Sequence, residues 1–143
     1  LYGLDYKGKI IERDEFDKGE RKLLNFGHSF GHSLESTSNY KIPHGSAVII
    51  GILIANEVSY NLGYITRKYC NTIQKILIPQ VEHLNILKKW FDFPTLFSYL
   101  KSDKKNIGGN INMVLLNKKQ YFVSPINDLK ILEKSLNTIY EVI

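Results

Sequence analysis

The 143-residue chain is 43% hydrophobic and 23% charged, with a formal net charge of +5, the balance of an ordinary globular protein able to bury one core. Its single cysteine, Cys70, excludes an internal disulfide and suits the cytoplasm. The longest apolar run, 47–55 broken only by Gly51, is too short to cross a bilayer, and no secretory leader follows Leu1, so no membrane partner is expected. The lysines are scattered and stand beside acids, as in Lys18-Gly19-Glu20-Arg21. The positive balance therefore reads as a basic surface with a few anion-binding cations, and no nucleic-acid partner is expected.

In chain order, residues 2–12 mix apolar and basic side chains and predict the end of a helix, and the charged stretch 13–19 predicts a loop stopped by Gly19. Residues 20–38 predict a helix that carries Arg21, Asn25, His28 and His32 at i, i+4, i+7 and i+11. At about 100° per residue these four side chains fall within an arc of about 60°. Gly27 and Gly31 lie on the neighbouring flank, where they allow another helix to approach closely. After a polar connection over 36–43, residues 45–62 are apolar almost all round, which predicts a buried helix stopped by Gly63. Thr66 is placed to cap a third helix that runs to Leu77 and closes at Pro79.

Two short helical patterns follow, at 84–90 and 94–100, the second with Pro94 in its first turn. Residues 103–110 form a lysine-bearing loop with paired glycines. Two β-like runs, 111–116 and 120–123, flank Asn117-Lys118-Lys119 and predict a hairpin. Residues 126–142, apolar at 126, 129, 132, 136 and 139, predict a closing amphipathic helix. The expected architecture is one mainly α domain with a small β-hairpin. Cys70 and Trp90 are expected in the core and His83 on the surface.

An arginine, an amide and two imidazoles on one narrow stripe make a poor core face and a good wall for an anionic, polar ligand. His28 and His32, one turn apart, are able to hold a metal through their imidazoles, with His44 completing a set. A zinc-protease helix needs a glutamate directly after its first histidine, where this chain has Ser29. His44 stands where the buried helix begins, beside backbone N–H groups that favour a phosphate or carboxylate. Each residue also has a simpler reading: helical histidines that cap or hydrogen-bond, a loop histidine satisfying a helix end, an exposed arginine, a solvent-facing asparagine. The joint alignment favours the ligand wall.

The run Arg21-Lys-Leu-Leu-Asn-Phe-Gly-His-Ser-Phe-Gly-His-Ser-Leu-Glu35, followed by His44-Gly-Ser-Ala-Val48, closely resembles the signature of the 3-dehydroquinate synthase C-terminal domain. The likeness extends to Lys7 and to Asp103-Lys104-Lys105 with Gly109 and Val114-Leu115-Leu116. It covers nearly the whole chain, most strongly residues 7–60. It implies a dehydroquinate synthase-like helical fold in which residues 1–143 form the substrate- and metal-binding domain. The family's NAD-binding domain and the glutamate that completes its zinc site are expected upstream.

Residue by residue, the resemblance makes His28 and His44 the histidine ligands of a catalytic Zn2+ (or Co2+). His32 would face the substrate phosphate and help move protons. Lys7, Arg21 and a lysine of the 103–105 loop, Lys104 ahead of Lys105, would bind phosphate or carboxylate. Asn25 would hydrogen-bond substrate hydroxyls, and Asp17 stands where the family has a glutamate near the substrate. His32, Lys7, Arg21 and Asn25 are the candidate catalytic residues.

The implied reaction is the conversion of DAHP, a phosphorylated sugar acid, to 3-dehydroquinate in the shikimate pathway of aromatic amino acid biosynthesis. A ring hydroxyl is transiently oxidised by NAD, phosphate leaves, the ketone is reduced and the ring closes by an aldol step. The implied enzyme is a lyase, a homodimer at full length, and this chain alone is expected to be inactive. One departure stands out. The family commonly carries glutamate after His-Gly, a carboxylate able to orient a histidine ligand, and this chain has Ser46. Alternative readings are another sugar-phosphate cyclase, a dehydrogenase of the related iron/zinc alcohol-dehydrogenase fold, or a non-catalytic phosphate- or metal-binding helical module.

Overall fold

Helix α1, His28–Thr37, ends in a turn that needs left-handed backbone. In this computed structural model, which describes residues 27–102, 111–116, 121–126 and 128–143, Asn39 has φ 55° and Tyr40 φ 63°. The Tyr40 amide donates to the Glu35 carbonyl at 2.7 Å and the Asn39 amide to that of Ser36 at 3.1 Å, the paired bonds that close a helix when the residue past its cap is left-handed. Asparagine tolerates that backbone better than most residues. The stripe residues Arg21 and Asn25, the expectations for 2–26, the 103–110 loop with Lys104 and Lys105, and the 117–119 turn lie outside the described residues.

Helix α2, His44–Asn61, starts after Pro43, whose φ of −59° and ψ of 147° set the entry without any side-chain cap. It holds many β-branched residues, which lowers its intrinsic helix preference, and packing compensates. Ile50, Leu53, Ile54 and Val58 are fully or almost fully buried. Gly63, at φ 87°, ends it as expected, with the Tyr64 amide donating to the Ser59 carbonyl at 2.9 Å.

Helices α1 and α2 cross through glycine. A Cβ on Gly27 would come within 2.6 Å of the Val48 carbonyl oxygen, and one on Gly51 would run into the Gly27 carbonyl. Gly31 is tight but tolerable, 3.3 Å from Ala47 and Val48 backbone atoms. The flank of small residues read from the sequence is the contact, with Gly51 as its third member.

Helix α3, Arg67–Leu77, is capped by Thr66, whose hydroxyl accepts from the Tyr69 amide at 3.1 Å. A single 3-10 turn, Ile78–Gln80, follows at Pro79. The helix expected over 84–90 is absent. Leu87 is extended, and only Lys88–Phe91 makes a 3-10 turn, seating Trp90 and Phe91 in the core. Seven residues offer too little chain to offset helix nucleation, so anchoring of the two aromatics decides the conformation. The Thr37 hydroxyl donates to the Trp90 carbonyl at 2.8 Å and ties this turn to the end of α1.

Helix α4, Phe93–Ser102, carries Pro94 in its first turn. Strands β1, Ile111–Leu116, and β2, Tyr121–Ile126, pair antiparallel with Ile111 opposite Ile126 and Leu116 opposite Tyr121. The second strand runs three residues further than the expected 120–123 and includes Pro125. A two-stranded ribbon is all edge, where proline is tolerated.

Helix α5, Leu129–Val142, begins three residues later than expected because Asp128 caps it. The Asp128 carboxylate accepts from the amides of Lys130 and Ile131 at 3.0 and 3.3 Å, while Ile126 stays in the strand, buried. One apolar core joins α1, α2, α4 and α5 with Trp90 and Phe91. Among the described residues the fold is mostly helical with one antiparallel pair of strands.

Cys70 is buried, as expected, and its thiol donates to the Asn56 carbonyl at 3.4 Å. His83 is exposed. Burial pushes the Cys70 thiol up from 9 to about 11, with the Glu57 carboxylate adding to the shift and Arg67 opposing it. The folded state thus holds this proton more tightly than the unfolded chain. That contribution to stability is complete below about pH 9 and lost as pH rises through about 11. Thiol reagents at pH 8 are expected to leave Cys70 unmodified in the folded protein and to react after denaturation. Rapid labelling of native protein contradicts this burial.

Candidate metal and substrate site

His28 stands at the first position of α1, His32 one turn on, and His44 at the first position of α2. The glycine crossing brings the two helix starts together. Ring centroids are 5.2 Å apart for His28 and His32, 5.9 Å for His28 and His44, and 6.2 Å for His32 and His44. Three imidazoles from two separate segments thus form one cluster. His28 is half-buried, whereas His32 and His44 are exposed.

Glu35 joins them from the last turn of α1. Its Oε1 lies 3.0 Å from His44 Nδ1, and its side chain is mostly buried where that of His44 is 58% exposed. An ionised carboxylate only accepts hydrogen bonds, so this contact is one that a ring N–H at Nδ1 is able to satisfy. Glu35 is a site residue that helical spacing alone does not single out. The tight reversal between Glu35 and His44, which returns one helix end to the start of the next, creates this contact. The same residue's backbone carbonyl accepts from Tyr40 N–H and from the Ser38 hydroxyl, the latter at 3.2 Å.

The first turn of α2 has no side-chain cap, and beside Gly45 the space is open for 4 Å. Uncapped amides and the positive end of an 18-residue helix make that edge favourable to an anion.

The donor set suits a divalent metal only in part. Two imidazoles sharing one zinc at about 2.1 Å per nitrogen hold their ring centroids about 5 Å apart. The 5.9 Å of His28 and His44 is closable by side-chain rotation, and neutral imidazoles suit Zn2+ or Co2+. Among the described residues no group of three His, Cys, Asp or Glu side chains is arranged to hold a metal ion. The pair fits a metal as a partial set that needs a further ligand. Of the residues singled out from sequence, the structure brings His28, His32 and His44 together. Lys7, Asp17, Arg21, Asn25, Lys104 and Lys105 lie outside the described residues.

Residues 2–106 match the family described as 3-dehydroquinate synthase C-terminal. The chain is 38% identical over 112 residues to the 3-dehydroquinate synthase of Alkaliphilus metalliredigens, covering 78% of this chain. It is 41% identical over 118 residues to that of Staphylococcus epidermidis, covering 80%. It spans 31% of the length of each of these curated relatives. Among solved structures it is similar to a 2-deoxy-scyllo-inosose synthase complexed with carbaglucose-6-phosphate, NAD+ and Co2+, with a TM-score of 0.68 at 20% identity, covering 90% of this chain and 37% of that one. A 2-epi-5-epi-valiolone synthase from Streptomyces hygroscopicus with NAD+ and Zn2+ bound gives a TM-score of 0.67 at 22% identity, with the same coverages. At these identities the likeness is one of fold alone.

Proposed function

The chain belongs to the 3-dehydroquinate synthase C-terminal family, and from that premise we propose that it is the helical substrate- and metal-binding domain of a 3-dehydroquinate synthase. It would work with a nucleotide-binding domain, in a homodimeric enzyme of the cytoplasm. The observation that carries the reading is the convergence of His28, His32 and His44 at two helix starts beside an open, uncapped helix N-terminus.

In this reading His28 and His44 hold the metal, Zn2+ or Co2+, and a carboxylate from the nucleotide-binding domain completes the set. When bound, the metal supplies Lewis acidity to the oxygen being oxidised and NAD supplies the hydride chemistry. The exposed ring of His32 reaches the substrate phosphate and carries a proton at an imidazole nitrogen as phosphate departs. The first-turn amides of α2 receive anionic oxygen. Lys7, Arg21, Lys104 and Lys105 add positive charge that holds phosphate and carboxylate, while Asn25 and Asp17 orient substrate hydroxyls.

The reading is tested by phosphate release from DAHP in the presence of NAD and Zn2+. The 143-residue chain alone is expected to release none. The same chain in one polypeptide with a nucleotide-binding domain is expected to release phosphate and form 3-dehydroquinate. Turnover by the chain alone overturns the domain assignment. A folded two-domain polypeptide that binds metal and phosphate without NAD-dependent chemistry identifies a non-catalytic module instead. Ser46, in place of the family's common glutamate, favours one second reading, a sister cyclase acting on another sugar phosphate. A substrate panel with the two-domain polypeptide separates the two.

A further inference from the structure

We propose that Glu35 is a positioning residue for His44, fixing that ring in the Nδ1–H tautomer so that Nε2 is the atom turned toward the ligand site. The inference rests on the reading of His44 as a metal ligand.

Three observations carry it. Glu35 Oε1 is 3.0 Å from His44 Nδ1, a distance that suits a charge-assisted bond. The Glu35 side chain is 12% exposed against 58% for His44, so the acceptor is the fixed partner and the imidazole the one being held. The reversal between them is itself fastened to Glu35. Its carbonyl accepts from Tyr40 N–H and the Ser38 hydroxyl, and Ser38 Oγ accepts from Ile42 N–H at 3.2 Å. The two left-handed residues Asn39 and Tyr40 are conformations that persist only where their surroundings over-determine them. Backbone and side chain of one residue therefore set both where His44 is and which way its ring faces.

Glu35 comes from the opposite helix, nine residues earlier in the chain, and reaches the ring nitrogen that leaves Nε2 unprotonated. A carboxylate on the far ring nitrogen raises ligand basicity and locks ring orientation.

The test uses the 15N-labelled 143-residue chain at a pH where its imidazoles are neutral, with tautomers read from long-range 1H–15N ring correlations. His44 is expected as Nδ1–H in the wild type, as Nε2–H in Glu35→Ala, and again as Nδ1–H in Glu35→Gln, whose amide oxygen still accepts. Zinc titration followed on the His28 and His44 rings adds a second readout. Half-saturation is expected roughly tenfold to a hundredfold higher in Glu35→Ala, with a smaller rise in Glu35→Gln. Should Glu35→Ala fail to fold, the zinc shift of the Gln variant decides. An unchanged Nδ1–H ring in Glu35→Ala, or zinc half-saturation within about twofold of wild type in both variants, overturns the proposal. The tautomer is read without metal or turnover, so a wild-type chain whose rings ignore zinc counts against the proposed function and leaves this assignment to the tautomer alone.

Discussion

Gly51→Ala is expected to destabilise the chain by more than about 3 kcal/mol, a large share of the roughly 5–15 kcal/mol that holds a domain folded. The added methyl would occupy the space of the Gly27 carbonyl oxygen, and the blocking atom is backbone inside a helix crossing, which cannot rotate away. Gly27→Ala should cost about 3 kcal/mol by the same argument, since its Cβ meets the Val48 carbonyl at 2.6 Å and the Ile52 amide nitrogen at 2.7 Å. Gly31→Ala is different. Its nearest neighbours are at 3.3 Å, and the gain in helix propensity of about 1 kcal/mol offsets the squeeze, leaving the change within about 1 kcal/mol of neutral. Gly45→Ala enters open space and should move stability by no more than about 0.5 kcal/mol. Urea unfolding followed by circular dichroism tests the order Gly51, Gly27, Gly31, Gly45. A Gly51→Ala protein within about 1 kcal/mol of wild type would mean that the helices do not cross this closely, and the distance between His28 and His44 would lose its explanation.

That crossing shows what a sequence makes legible and what it hides. Gly27 and Gly31, four apart on one flank, announce a close approach because only a missing side chain lets two backbones touch. Gly51 is invisible in the same text. It sits in an apolar run where a small residue reads equally well as filler, and only the partner helix shows that its Cα faces a carbonyl. The ends of α2 and α3 were legible for a related reason. Gly63 and Thr66 perform local tasks, a left-handed stop and a hydroxyl cap, that need no knowledge of distant contacts.

The segment 84–90 misled because apolar residues at helical spacing also suit two aromatics pinned by tertiary packing. Ile126 misled because the strand before α5 is apolar in phase with the helix, and the Asp128 cap marks the boundary more reliably than periodicity does.

The site was legible in its residue types and only partly in its geometry. His28 and His32 share a helix, so their proximity follows from the 3.6-residue repeat. That His44 joins them depends on a six-residue reversal, 38–43, with two left-handed positions, and on the glycine contact. Neither can be computed from spacing. Glu35 escaped notice because acids on the last turn of a helix are usually solvated, and its partner is created by the fold.

At the other end of α2 a different kind of pair predicts a loss of stability that leaves the site untouched. Glu57 is almost fully buried and takes both arms of the Arg67 guanidinium, Nη1 to Oε1 at 2.9 Å and Nη2 to Oε2 at 2.6 Å, while Gln74 donates to Oε1 at 3.3 Å. The same guanidinium lies 3.7 Å over the Tyr60 ring, and the Glu57 hydrogen bonds hold its pKa well above the usual arginine value. Arg67→Ala leaves a buried carboxylate with one weak amide donor and should cost about 3 kcal/mol or more. Arg67→Lys keeps the charge and loses the fork and the stack, for about 1–2 kcal/mol.

Removing both charges together, as Glu57→Leu with Arg67→Met, is expected to recover most of the loss, because no ion is then left without a partner. A double-mutant cycle in urea measures this directly, and additive losses from the two single changes would show that the pair is not coupled. Thirteen residues of helix, about 20 Å, separate Glu57 from His44. The folded fraction of Arg67→Ala should therefore bind zinc with wild-type affinity. A fall in zinc affinity that persists when the data are corrected for unfolded protein would mean that α2 transmits strain along its length.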